Sequence, residues 1–397
     1  MKRLVLAVIT NWINSTSPYL DFIKNGSKYG HNISQLIIGY SHGCEKSIVE
    51  YLNRFTRVKL LKLPDDRKFI FQLKKLGLED EEIDTLFNFK LFNKYKLIPY
   101  GIRRNSILMQ ALLLNPAPDY LFFIDTDVFP YILKNKSGEK EEIDFFGRHL
   151  EYLKKKGVII TTSDYSGYYI IPPMSFAGLK KLLLGLQKER AYRYLEDADS
   201  NITVLDETGP KARKTNKILG GNHAIDLGSF QDLPPYFSTY YFFHGEMVMG
   251  RGEDTILGRE LAERGKTVID IDTKIFHDTY GNFPAVPDIK DSDVQERFYY
   301  ACLGWLGRNP FLNWYLYKDS SKQQDIYELR RKALMEGSKR LAEYLNNTRF
   351  NDLPVAFDEA YSQLENMKKF YYKTLKAWSS FKKRVYGKGE NIESSTS

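Results

Sequence analysis

Leu121-Phe122-Phe123-Ile124-Asp125-Thr126-Asp127 sets an uninterrupted apolar run directly before two acids. A run without polar alternation reads as a strand covered on both faces, the kind found inside a helix-flanked parallel sheet. The carboxyl ends of such strands open onto the ligand crevice, which puts Asp125 and Asp127 at the mouth of the sheet. Two carboxylates held together repel unless a cation sits between them, and hard Mg²⁺ or Mn²⁺ bound to phosphate oxygens is the natural one. The spacing alone says little, because Asp-x-Asp recurs at Asp197/Asp199, Asp270/Asp272 and Asp291/Asp293; only the first pair ends an apolar strand. The plainer alternative is a pair of solvated acids at a strand end.

Outward from this stretch, strands and helices alternate. Residues 3–10 read as the first strand, 11–17 as a polar loop and Pro18–Lys24 as a helix. Ser34–Tyr40 is a second strand, followed by Ser41-His42-Gly43, a helix through Ile48, Tyr51, Leu52 and Phe55, and a third strand at Val58–Leu63. This spacing predicts βαβ units with right-handed crossovers. Residues 64–98 suit a helical insertion over the sheet, and Ile107, Leu108, Ala111, Leu112 and Leu114 recur at helical spacing just before the 121–127 stretch. Gly157–Thr162 reads as a strand, Ser175–Glu189 as a helix, and 190–218 as an irregular loop able to close over substrate. Beyond 285 the pattern is helical to about 386, with a Ser/Thr tail. The expected organisation is therefore a unit at 1–285 and a helical C-terminal extension at 286–397.

At 397 residues and 43% hydrophobic content the chain can bury a large core. Its apolar windows are too short for a membrane span and the first ten residues lack a cleavage site, so a cytoplasmic protein is expected. Cys44 and Cys302 have no CxxC partner and read as reduced thiols. The net charge of +8 suits an anionic ligand or membrane surface, and nucleic-acid motifs are absent. In the last helices Tyr361, Leu364, Met367, Tyr371, Leu375, Trp378, Phe381 and Val385 form an apolar stripe beside lysines and arginines. Packing on the catalytic unit, a homo-oligomer, and peripheral membrane contact through Trp378 and Phe381 are the three ways to cover it.

A second constellation runs from Gly250-Arg251-Gly252-Glu253-Asp254-Thr255 through a short strand to His277. Glu253 and Asp254 fall at a helix start, where free N–H groups and the dipole favour carboxylates. Asp254 there could accept a proton from an incoming hydroxyl, and His277 could complete a metal site with Asp127. The competing readings are a helix cap for Asp254 and an ordinary loop histidine for His277. His31, His42, His223 and His244 have no partner spacing and read as structural, with His244 near enough in sequence to reach an acceptor.

Together these segments resemble the nucleotide-sugar-dependent glycosyltransferases of the GT-A fold, over residues 3–285 and especially the family-2-type group. Leu36-Ile37-Ile38-Gly39-Tyr40, Leu219-Gly220-Gly221-Asn222, Asp254-Thr255 and His277-Asp278-Thr279-Tyr280-Gly281 are also similar to stretches of mannosylglycerate synthases. The resemblance implies an α/β, Rossmann-like mixed sheet with helices on both faces. It implies a hexosyltransferase that moves a sugar from a nucleoside diphosphate sugar to a hydroxyl of a small molecule, glycan or lipid-linked acceptor, with Mg²⁺ or Mn²⁺. On that basis Asp125, Asp127 and His277 hold the metal, and Thr10, Asn11, Tyr40, Arg103, Arg104, Asn105, Asp125 and Thr126 bind the nucleotide. Asp254, with Glu253, is catalytic, and Gly220, Gly221, Asn222, Arg251 and Tyr280 line the acceptor or sugar. Gly-Glu-Asp-Thr before its helix favours inversion; the retaining alternative has Asp254 position substrate instead. Asp278 stands where the glycerate-using relatives carry an arginine, which argues against a carboxylate acceptor. The rivals are a sugar-phosphate nucleotidyltransferase, whose Gly-rich loop after the first strand is replaced here by Thr10-Asn11-Trp12, and a membrane-surface binding protein.

Overall fold

The computed structural model describes residues 2–64, 66–95, 97–195, 202–204, 212–271, 273–317 and 319–393. An eight-stranded mixed sheet is its frame. From edge to edge the strands are Arg213–Thr215, Thr267–Asp270, Val158–Thr162, Asn222–Asp226, Tyr120–Ile124, Leu4–Ile13, Ile33–Cys44 and Arg57–Lys62. Asn222–Asp226 and Arg213–Thr215 run antiparallel to their neighbours, and the other six strands share one direction.

The apolar runs supply both faces of this sheet. Leu4, Leu6, Val8, Phe122 and Ile124 pack into one layer with Phe22, Phe145 and Phe146, while Val5, Ala7, Ile9, Leu121 and Phe123 point the other way against Ile107, Leu108 and Phe230. Alternate residues thus go to opposite cores, which is why the sequence shows no polar alternation. The α/β expectation of a mixed sheet with helices on both faces holds. The insertion at 64–98 forms the helices Arg67–Lys75, Asp80–Phe87 and Phe89–Tyr95, with Phe69, Leu73 and Phe87 buried.

A smaller four-stranded sheet, unforeseen from sequence, orders Ile202–Thr203, Tyr165–Tyr168, Ile275–His277 and Val128–Phe129. Its members are only two to four residues long, below the length at which a periodic pattern shows. It matters because it pairs His277 with Val128, the residue after Asp127.

Several boundaries differ from expectation. The first strand continues through Asn11, Trp12 and Ile13, and Ser41, His42 and Gly43 are strand residues; after an irregularity, Trp12 pairs with Gly43. The helix expected at 175–189 is the shorter Leu179–Gly185, followed by a 3₁₀ turn at Glu189–Tyr194. The closing loop expected at 190–218 falls partly outside the described residues, as do Asp197, Asp199 and Asp272. The last helix, Leu364–Glu393, runs past the tail boundary placed at 386.

The C-terminal helices Ser292–Leu316, Ser320–Leu345, Leu353–Ser362 and Leu364–Glu393 pack on the rest of the chain. Phe298, Trp305, Phe311, Phe357 and Tyr371 share a core with Phe237 and Tyr241. Trp378 and Phe381 are 1% and 0% exposed, against Phe230 and Leu233, and the Trp378 indole donates to the Leu233 carbonyl at 2.9 Å. Both side chains are covered by their own chain and so are not presented to a membrane surface. No helix among the described residues is long and apolar enough to cross a membrane.

Candidate functional site

The site lies where the six co-directional strands end. Tyr120–Ile124 delivers Asp125, Thr126 and Asp127, and the antiparallel strand beside it begins at Asn222, opposite Ile124. The chain just before that strand, Gly220-Gly221, therefore passes directly under the acids. Gly220 N–H donates to Asp254 Oδ2 at 2.8 Å, and a Cβ on Gly220 would come within 2.5 Å of Arg104 Nη2. A Cβ on Gly221 would overlap the Asp125 carboxylate. Both glycines are buried. They admit backbone directly against the acids of the site.

Asp127 and His277 meet across the small sheet. His277 Nε2 is 3.1 Å from Asp127 Oδ2, the Asp278 N–H donates to the Asp127 carbonyl, and Thr279 Oγ1 lies 3.2 Å from His277 Nδ1. The Tyr165 ring packs on His277 with centroids 4.6 Å apart, and Arg297 reaches to 3.9 Å from Asp127. Burial alone would raise the Asp127 carboxyl, but the His277 hydrogen bond and the charges of His277 and Arg297 hold it below the usual carboxylate range. Asp125 is pushed up by burial and by Asp127, with Arg104 acting against both.

Arg104 is the hub. Its side chain is 3% exposed and bonds Glu253 at 3.1 Å and Asp125 at 3.3 Å, tying the Glu253–Glu263 helix to the end of the central strand. Glu253 is also sequestered, at 7% exposure, and burial followed by the neighbouring Asp254 charge raises its carboxyl. Asp254 is not the helix cap, which is Gly252; one oxygen accepts from Gly220, the other from its neighbour Thr255. The Thr255 hydroxyl also donates to Oδ1, at 3.3 Å, and Oδ2 retains a lone pair for a further donor.

Several of the residues expected at the ligand also carry bonds within the fold. Arg103, 6% exposed, donates from Nε to Ile98 O and from Nη1 to Thr10 O and Asn11 Oδ1, which fixes the end of the first strand. Arg104 bonds two carboxylates through Nε and Nη2, while its buried Nη1 has no partner among the described residues. Asn105, 1% exposed, spends its amide on the Tyr236 backbone. Among the described residues, the bonds of these three fix the end of the first strand, the start of the Glu253–Glu263 helix and the Tyr236 backbone. Glu253 is buried against Arg104, which holds the helix start to the central strand. Asn222, fully buried, donates to the Asp164 carbonyl, and its Oδ1 has no hydrogen-bond partner among the described residues.

The remaining residues stay near the opening. Thr10 pairs with Tyr40 across the first two strands, and Asn11 and Thr126 are exposed. Arg251 is partly buried, with its N–H donating to Gly304 O. Tyr280 donates to Ile170 O beneath the Arg297 guanidinium. Asp278 caps its own turn by accepting from Gly281 and Phe283 N–H. Sequence reasoning passed over Tyr165, which follows a strand end as Asp125 does, and Arg297, which carries no local signal. It also passed over Trp12, 57% exposed, whose ring lies on Gly43 and stacks on His42.

Among the described residues no three His, Cys, Asp or Glu side chains converge as a metal cage. The Asp127–His277 pair nonetheless fits a hard divalent ion, since Mg²⁺ takes one or two protein ligands and completes its shell with phosphate oxygens and water.

No protein-family model matches the chain, and no curated protein matches it in sequence. Among solved structures, a glucosyl-3-phosphoglycerate synthase from Mycobacterium tuberculosis, in complex with phosphoglyceric acid, is similar at 14% identity over 77% of this chain and 78% of that one, with a TM-score of 0.37. The same synthase with Mn²⁺ and UDP-glucose gives 14% identity, 77% and 79% coverage and 0.38. A structure described as a mycobacterial protein gives 13%, 77% and 74%, and 0.38. Likeness this distant transfers neither substrate nor chemistry; the residues of the site have to supply both.

Proposed function

We propose that the chain is a metal-dependent glycosyltransferase of GT-A type. In this reading it moves a sugar from a nucleoside diphosphate sugar to a hydroxyl acceptor, residues 1–285 form the catalytic unit in a cytoplasmic setting, and 286–397 are a helical extension packed on it. The observation that carries the proposal is the convergence at one sheet edge of acids from separate segments: Asp125 and Asp127 beside His277, and Asp254 held through Gly220 and the Arg104 hub.

Asp127 and His277, with Asp125 adjacent, would hold Mg²⁺ or Mn²⁺, which neutralises the charge that leaves with the diphosphate. Thr279 and Tyr165 fix the His277 ring so that Nε2 faces Asp127. Asp254, oriented by two backbone N–H groups, accepts the proton of the attacking hydroxyl in an inverting transfer. Arg104 and Glu253 keep that helix start in register with the central strand. Thr10, Asn11, Tyr40 and the exposed Trp12 ring border the place assigned to nucleoside.

The test is release of nucleoside diphosphate from a panel of sugar nucleotides with Mn²⁺. Release that requires metal, stops in EDTA and is lost in Asp127→Asn and His277→Ala is the expected result. Full release in EDTA, or in either variant, would overturn the reading.

A further inference from the structure

Beside the Asp254 helix start lies a group of basic side chains that the reading above leaves unused. Arg308 is only 7% exposed, yet among the described residues its guanidinium hydrogen bonds reach only the neutral Asn309 side chain, at 2.8 and 3.3 Å. No carboxylate among the described residues comes within 4.0 Å of it. It lies over Gly252, whose absent Cβ would fall 2.8 Å from Arg308 Cδ and 3.1 Å from Nη1; glycine at φ +104° is what lets the guanidinium pack against this turn. Arg251, the preceding residue, folds its side chain over Gly304, one turn before Arg308 on the Ser292–Leu316 helix. Lys188 completes the set, with Nζ 4.3 Å above the Trp305 ring on that helix.

The position of Lys188 is strongly determined. Gln187 before it sits at φ +56°, a conformation that costs a side-chain-bearing residue free energy. Gln187 Nε2 is bonded to Asn313, Lys188 N–H to Leu183 O, and Asn309 Nδ2 to Leu186 O. Three backbone or amide bonds thus hold a strained turn that lays a lysine on Trp305, one helical turn before the buried Arg308. Bringing like charges together out of water costs free energy unless an anion joins them. The charged and titratable groups facing Lys188 are Arg308, Arg251, Asp254 and Cys302; burial, then Arg308, pushes its amine down to about 7.

We propose that Lys188, Arg251 and Arg308 bind an anionic group, a carboxylate or phosphate, carried by the hydroxyl acceptor. The inference rests on the transferase reading for the word acceptor, but the anion site stands on the cluster itself. It reverses the expectation drawn from Asp278: that residue caps a turn, and the positive charge for an acidic acceptor comes from other elements. Aromatic Trp305 beside Lys188 and the Asp254 carboxylate at the edge of the cluster would hold a small hydroxy acid with its hydroxyl turned toward Asp254.

Binding to the full-length protein, without metal or donor, tests this directly. The probes are inorganic phosphate, glycolate and the neutral ethylene glycol, at matched ionic strength, followed by thermal shift and ligand-observed NMR. Saturable binding of phosphate or glycolate but not ethylene glycol is expected, with Kd raised about tenfold or more in Lys188→Gln and Arg308→Gln, the scale of a lost charge-assisted hydrogen bond. Which of the two anions binds more tightly tells phosphate from carboxylate. Arg308→Lys, which keeps charge in the core, and the less buried Lys188→Gln guard against simple unfolding. Equal behaviour of the neutral and anionic probes, or unchanged Kd in folded variants, would overturn the anion site. Anion binding without sugar-nucleotide turnover would leave it standing and remove the transferase reading alone.

Discussion

Replacing Arg104 by methionine removes the one cation between two acids while nearly preserving side-chain length. The bond to Glu253 counts at full strength, because the two side chains are 3% and 7% exposed; at about 1.5–3 kcal/mol for a hydrogen bond to a charged group it dominates the loss. The Asp125 bond contributes less, since 37% of that side chain is open to water. Together they give about 3–4 kcal/mol, within the range of about 3–5 for stranding one member of a buried pair. Urea unfolding followed by tryptophan fluorescence and far-UV circular dichroism measures it. Adding Glu253→Gln to the methionine variant removes the stranded charge and should recover more than about 1 kcal/mol.

The sign of the pH dependence follows from the same group. Burial and Asp254 already raise the Glu253 carboxyl, and without Arg104 it rises further. A carboxyl with a raised folded value takes up its proton in the folded state first. The deficit of the variant is therefore largest at neutral pH, shrinks as pH falls through the folded value, and vanishes below the unfolded value of about 4.3. A loss under about 1 kcal/mol at pH 7, or a deficit that grows on acidification, would refute the hub assigned to Arg104.

Asp254→Asn should keep donor binding and lower turnover by about 10²-fold or more, the scale of a lost general base; NMR of the product anomeric centre showing retained configuration would remove that role. Gly221→Ala sets a methyl against the Asp125 carboxylate, so metal-dependent nucleotide binding, read by calorimetry, should weaken at least tenfold with the far-UV spectrum unchanged; wild-type binding would show that the loop has room to yield. Trp378→Ala empties a site that is 1% exposed and leaves the Leu233 carbonyl only its longer bond from Lys382, at about 3–5 kcal/mol in urea unfolding; a loss below about 1 kcal/mol would mean the last helix is a loose appendage.

What the sequence made legible was whatever depends on local pattern. The run Leu121–Ile124 announced a strand buried on both faces because its residues serve two cores at once, and Asp125 and Asp127 followed from where such a strand must end. A metal shared by Asp127 and His277 was suggested by each lying just past a strand, but the contact itself depends on a two-residue strand pairing Val128 with His277, too short to show in the sequence. Arg103 and Arg104 mark the limit more sharply. Their place at a helix start was readable, but whether a guanidinium points to a ligand or into carboxylates is decided by neighbours about 90 and 150 residues distant. The same limit hid Lys188 and Arg308, which have no motif and no periodicity and meet only because Gln187 and Asn309 fasten a turn to a helix 120 residues farther on. Charge in a sequence is a count; in the fold it is a position. The three basic side chains beside Asp254 are therefore the part of the site most open to decision by experiment, because nothing in their spacing required them to face one another.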